Sequence, residues 1–186
     1  LKGFHGIGMD IDPLARLMSC VKSRPLPLQE LREQAMLLEA QVVADIGHYR
    51  RYCGAPVRTL GECAGMQGVD PVLSVDECPK PDWDRLEYWF FPQVIDELSL
   101  IRERIRRVSQ VEMREFFEIV FSACLVTKGQ SSLVNAHDLA HSRAHRVVPD
   151  DVPDTLQRFV SELARKRDTI EKFTQVIWKQ QAATGP

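Results

Sequence analysis

The stretch from Val111 to about Thr127 is apolar around nearly its whole circumference, through Phe116, Phe117, Ile119, Val120, Phe121, Cys124 and Leu125. A helix of this kind cannot lie on a surface, because no orientation hides its hydrophobic side from water; it has to be covered on most sides. No apolar run in the chain approaches the ~20 residues needed to cross a bilayer, so the cover must be protein and not lipid. Other helices of the same chain provide it. Leu31, Ala35, Leu38, Val42, Ile46 and Tyr49 recur on one face of a helix expected from Leu28 to Tyr52. Val94, Ile95, Leu98, Ile101 and Ile105 do so between Pro92 and Val108. Leu156, Phe159, Val160, Leu163, Ile170, Phe173 and Ile177 form the stripe of a last, charged amphipathic helix. This periodicity predicts a mainly α-helical chain with the 111–127 helix at its centre.

The boundaries follow from local chemistry. Asp12-Pro13 marks a helix start, and Ser23-Arg24-Pro25-Leu26-Pro27 ends that helix because proline cannot continue it. Ser109 and Glu112 have capping-box spacing at the start of the apolar helix. The segment from Gly54 to Asp84 is rich in glycine and proline and reads as an irregular connection, with short strands expected at Val57–Leu60 and Val72–Val75. A polar connection, Lys128 to Asp151, precedes the last helix.

Hydrophobic residues make up 44% and charged residues 27% of the chain, an ordinary globular balance, and the formal charge is −2. No global attraction to nucleic acid follows from that charge, so any such contact would come from local basic faces. The start of the chain has no long apolar region of a signal peptide. Five cysteines at irregular spacing fit reduced thiols and a cytoplasmic location. The chain lacks an initiator Met, and a cut from a longer protein is expected.

Residues His5 to Ile11 form a strand-like run that ends in Gly8-Met9-Asp10-Ile11-Asp12-Pro13. A strand that ends in an acid and passes at once into a capped helix is how doubly wound folds hold a nucleoside ribose, since a carboxylate there accepts hydrogen bonds from the sugar hydroxyls. Asp12 suits the helix cap, which makes Asp10 the ribose candidate. By spacing alone, a turn whose acids merely cap and solubilise accounts for these residues equally well.

Over nearly all 186 residues the chain resembles DNA methyltransferases that modify the exocyclic amino group of adenine or cytosine. Gly8 to Ala15 followed by Val21-Lys22 is similar to their second motif. Tyr88-Trp89-Phe90-Phe91-Pro92, a helix over Leu98–Val108, Arg114 to Ser122, Ser142-Arg143 and a helix over Val152–Ile177 follow in the order of members with a helical insertion. The resemblance implies S-adenosylmethionine as cofactor, DNA as substrate and partner, and Met9, Asp10 and Ile11 as cofactor-binding residues. It implies a small α/β remnant of a Rossmann-like sheet at residues 1–24, and a helical insertion at 25–186 that helps position DNA. The glycine-rich motif and the Pro-Pro-Tyr motif of such enzymes do not occur here. They are expected before Leu1 and after Pro186, in the remainder of the methyltransferase. No residue is therefore assigned a catalytic role, and the chain alone is expected to be inactive. An RNA methyltransferase fragment and a non-catalytic helical interaction or dimerisation module are the alternatives.

Other groupings carry less. His137, His141 and His145 repeat at helical spacing, but without a Cys pair they read as a polar surface and not as a zinc site; the same holds for His48, Cys53, Cys63 and Cys78. No metal site is expected. Lys128, Arg143 and Arg146, in the polar loop after the core helix, are the candidates for DNA contact. The runs Arg102–Arg107 and Arg165–Arg167 read as solvated faces with i,i+4 pairs such as Glu103 with Arg107, Glu162 with Lys166 and Asp168 with Lys172. Trp83 and Tyr88 to Phe91 read as an aromatic hinge that docks the helical part.

Overall fold

A computed structural model describes residues 10–52, 72–125, 133–135 and 151–184. These form six helices, α1 (Pro13–Ser23), α2 (Leu28–Tyr52), α3 (Leu86–Trp89), α4 (Pro92–Arg106), α5 (Val111–Leu125) and α6 (Thr155–Thr184), with a 3-10 turn at Val75–Glu77. Each long helix buries the stripe its periodicity marks: Leu31, Ala35, Leu38, Val42 and Ile46 from α2, Val94, Leu98, Ile101 and Ile105 from α4, and Leu156, Phe159, Leu163, Ile170 and Ile177 from α6. Met113, Phe116, Phe117, Val120 and Cys124 of α5 meet them in the core. The packing order is a ring, α2 on α4, α4 on α5, α5 on α6 and α6 on α2, with α1 laid on the outside of α5. The apolar circumference of α5 is thus covered from three sides.

The helices alternate in direction, and ion pairs record it. Asp45 and Arg50 of α2 meet Arg104 and Glu97 of α4, so the two run antiparallel. Arg32 of α2 meets Glu171 midway along α6 and Arg50 meets Asp154 just before its start, so α6 is also antiparallel to α2. At the near end Gln110 donates to Glu30 at 3.1 Å, so α5 starts where α2 starts. The result is an up-down-up-down four-helix bundle.

Two of these pairs are deeply buried. Arg104 donates from Nε to Asp45 Oδ2 at 2.6 Å and from Nη2 to Oδ1 at 2.8 Å, with side-chain exposures of 1% and 0%. The Leu73 N–H adds a 2.9 Å bond to Asp45 Oδ1. Arg50 makes the same two-pronged contact to Glu97 at 2.7 and 3.0 Å and reaches Asp154 at 3.0 Å. Gln93 completes the shell of Glu97 at 2.9 Å. Burial works against the Arg50 charge, but the hydrogen bonds and charges of Glu97 and Asp154 more than reverse it, so its pKa lies above the ordinary arginine value.

Residues 1–9, which hold most of the strand-like run expected for the Rossmann-like remnant, are outside the described set; among the described residues there is no strand, and Asp10 and Ile11 lie in none. Two expectations are corrected. Val72–Val75 is not a strand either: Ser74 Oγ accepts from Asp76 N–H at 3.3 Å and the Glu77 carboxylate accepts from Ser74 N–H at 3.5 Å, closing a capping box that turns the backbone into the 3-10 turn. The Val57–Leu60 strand lies outside the described residues. Finally, α5 starts at Val111 with the Gln110 carbonyl accepting the first helical bond, from Arg114 N–H at 2.9 Å. The Val111 start is the one expected, but Gln110 stands at the cap in place of Ser109.

Breaking one partner of a buried pair leaves the other charge dry and uncompensated. Asp45→Ala is expected to lower the unfolding free energy by about 3–5 kcal/mol in urea denaturation. Adding Arg104→Met should restore most of the loss, whereas Arg107→Ala, which removes an exposed pair, should cost under ~1 kcal/mol.

Candidate cofactor-binding turn

The two acids at the start of α1 have different geometries. Asp12 sits at the N-cap with extended dihedrals, φ −82° and ψ 116°, and its Oδ1 accepts from Leu14 N–H at 2.8 Å. Pro13, which has no N–H to satisfy, follows as the first helical residue. The Asp12 carbonyl takes the first helical bond from Arg16 at 3.0 Å. Asp12 is thus engaged with the helix through both its side chain and its backbone. Asp10 uses Oδ1 to accept from Asp12 N–H at 2.9 Å, and its exposed carboxylate retains Oδ2. Between them Ile11 is fully solvent-exposed, and Leu14 is 41% exposed. A held carboxylate beside an uncovered branched aliphatic side chain offers an acceptor for a polar, hydroxyl-bearing group and an apolar surface for a flat ring. Met9 lies outside the described residues.

The position of this turn follows from how α1 is anchored. Arg24, just past the helix, pairs with Glu115 at 3.3 Å and Glu112 at 3.8 Å at the start of α5. Val21 is buried in the common core, with Leu17 and Met18 packed beside it. Since the end of α1 meets the beginning of α5 and α1 packs along that helix, it runs antiparallel to α5. Its acidic turn therefore points toward the end of the bundle where α5 finishes at Leu125 and α6 begins at Thr155.

The remaining predicted residues are distributed differently. Lys128, Arg143, Arg146, His137, His141, His145, Cys53 and Cys63 lie outside the described residues. Among the described residues no group of three His, Cys, Asp or Glu side chains could hold a metal. His48 is exposed and its ring lies 4.4 Å from that of Tyr52, whereas Cys78 is buried. The Arg102–Arg107 run is split. Arg104 is inside the core, Arg107 pairs with Glu103 at 3.1 Å as expected, and Arg102 and Arg106 are exposed. Glu162 is held by Arg158 at 3.0 Å and Arg165 at 2.5 Å in place of the expected Lys166, because both arginines reach the buried carboxylate with planar forks. Phe90 and Phe91 pack against the core, while Tyr88 and Trp89 meet edge to face at 4.9 Å. The Trp89 carbonyl accepts from Asn135 N–H at 2.7 Å, tying this aromatic turn to the segment that follows α5.

Two features escaped the sequence reading. One is the pair of buried ion pairs, although a signal existed: Asp45, Glu97 and Arg104 stand at positions that continue the apolar stripes of α2 and α4. The other is an apolar cleft beside α4, whose residues are scattered between Pro81 and Leu125.

The sequence is similar to the type II methyltransferase M.MvaI of Kocuria varians, with 26% identity over 121 residues, covering 63% of this chain and 22% of that protein. The chain thus spans about a fifth of that relative's length. This supports a relationship to methyltransferases. No protein-family pattern matches the chain, and no solved structure matches it.

The buried thiols of the bundle are held in their protonated state. Burial, followed by the Glu162 charge, pushes Cys124 up to about 12, and its Sγ donates to the Val120 carbonyl at 3.2 Å. Burial, then Glu103, raises Cys78 as well. Iodoacetamide at pH 7.5 is therefore expected to leave Cys78 and Cys124 unmodified in the folded chain and to label both in urea, as read by peptide mass mapping.

Proposed function

We propose that this chain is part of an S-adenosylmethionine-dependent DNA methyltransferase acting on an exocyclic amino group, and that it supplies the ribose-binding acid and a DNA-positioning helical bundle. The observation that carries this reading is the division of labour between the two acids. With Asp12 held by the helix cap, Asp10 is the carboxylate left to accept hydrogen bonds from the ribose hydroxyls. Ile11 and Met9 flank the adenine. The similarity to a type II methyltransferase supports the same reading. The cofactor, when bound, supplies the methyl group; this chain's own residues bind and orient it, and the base-holding chemistry belongs to motifs this sequence does not contain. Residues 1–24 form the junction with the cofactor domain, and residues 25–186 form the insertion. Lys128, Arg143 and Arg146 neutralise DNA phosphates. In the sequence Lys128 is three residues beyond Leu125, the last residue of α5.

In the intact protein that carries this sequence, Asp10→Ala is expected to weaken S-adenosylmethionine binding about tenfold or more by calorimetry, since a hydrogen bond to a charged group is worth about 1.5–3 kcal/mol. Helix content should be unchanged. Asp12→Ala should instead cost about 1 kcal/mol of stability through the lost cap. Equal cofactor affinity in the Asp10 variant would reject the assignment. Reversing the charge of Arg143 and Arg146 together is expected to weaken DNA binding and to flatten its salt dependence, measured by fluorescence anisotropy over a salt series.

A further inference from the structure

A cleft of about 380 Å³ opens between α4, α5 and the 81–90 segment, lined chiefly by Trp83, Phe90, Ile95, Leu98, Arg102 and Phe121. No residue of α1 or of the acidic turn lines it, so it is distinct from the proposed ribose site. Its volume falls within the range of about 300–1,000 Å³ typical of small-molecule pockets, and its composition is that of such pockets, apolar walls with few polar groups.

The polar groups are specific. Ser99 donates its hydroxyl to the Ile95 carbonyl at 2.8 Å, so toward the cleft it can offer only an acceptor. Arg102 is the one cation among the described lining residues. Its recorded bond is a long one, 3.5 Å from Nη1 to the Pro79 carbonyl, and among the described residues no carboxylate pairs with it. This sets it apart from Arg24, Arg32, Arg50, Arg104, Arg107, Arg158, Arg165 and Arg167, each of which has an acid within 4 Å. Trp83, at 46% exposure, leaves its ring open to solvent beside the same cleft.

We propose that this cleft binds a small apolar carboxylate, an aryl or branched alkyl acid. The hydrocarbon body lies among Trp83, Phe90 and Phe121, and the carboxylate is held by the Arg102 guanidinium. A planar guanidinium can take both oxygens of a carboxylate at once, and the apolar walls beside it take up the hydrocarbon body. A phosphate monoester would carry more charge and more hydration than a cleft with a single cation can compensate.

Titration of 4-phenylbutyrate into the 186-residue chain tests this, followed by tryptophan fluorescence and by methyl NMR. Saturable binding is expected, with shifts centred on Leu86, Ile95, Leu98 and Leu125. The neutral 4-phenylbutanamide should bind about tenfold more weakly, because it loses the charge-assisted bonds. Arg102→Gln, at an exposed position, should abolish the difference between acid and amide with the 222 nm circular dichroism unchanged. Trp83→Ala should weaken both ligands. The proposal is overturned by an absence of saturable binding up to the solubility limit, or by shifts centred elsewhere. Equal binding of acid and amide would also overturn it, and would make the cleft a seat for an uncharged partner side chain. So would an Arg102→Gln variant that still prefers the acid.

Discussion

The arrangement of the bundle depends on two buried arginine–carboxylate contacts, Arg104 with Asp45 and Arg50 with Glu97. Hydrophobic stripes can slide past each other by a turn and still bury similar area, but a guanidinium with 1% exposure cannot. Displacing α4 along α2 would strand a charge where water cannot reach it, at a cost larger than a typical packing defect. The pairs also gather segments distant in sequence. Asp45 accepts the Leu73 N–H as the chain returns toward α4, and Arg50 takes Asp154 at the start of α6. Register between α2, α4 and α6 is therefore set by directional contacts made inside the core.

That register decides where α1 goes. With α5 enclosed by α4 and α6, its outer side, including Glu112 and Glu115, is left for α1, and Arg24 fastens the far end of that short helix. The acidic turn is consequently carried on a helix whose later turns are braced by Leu17, Met18 and Val21 against the shared core. A carboxylate presented this way loses little freedom on binding a ligand, which is the condition under which a hydrogen bond to it contributes most.

Much of this was legible in the residues. Helical spacing located α2, α4, α5 and α6, and proline placed the break between α1 and α2, because these signals are local and act within a turn or two. Asp12 was recognisable as a cap from its position before Pro13. The misreadings share one cause. Val72–Val75 looks extended by composition, yet Ser74 and Glu77 satisfy the backbone locally and Leu73 finds Asp45 from another element. Glu162 has Lys166 at the favoured spacing, but two arginines of the same helix reach it first. Arg104 belongs to a basic run along the chain and to a buried pair in space.

By itself, the sequence determined that the chain is helical, which faces of the helices are apolar, and that the acidic turn leads into a capped helix. Each of these depends on neighbours within a few residues. Tertiary structure alone decided which charges are inside, which arginine of the α4 run is left without an acid beside an apolar cleft, and to which end of the bundle the acidic turn points. Those outcomes depend on contacts between residues dozens of positions apart, and they appear only once burial has made an unpaired charge costly.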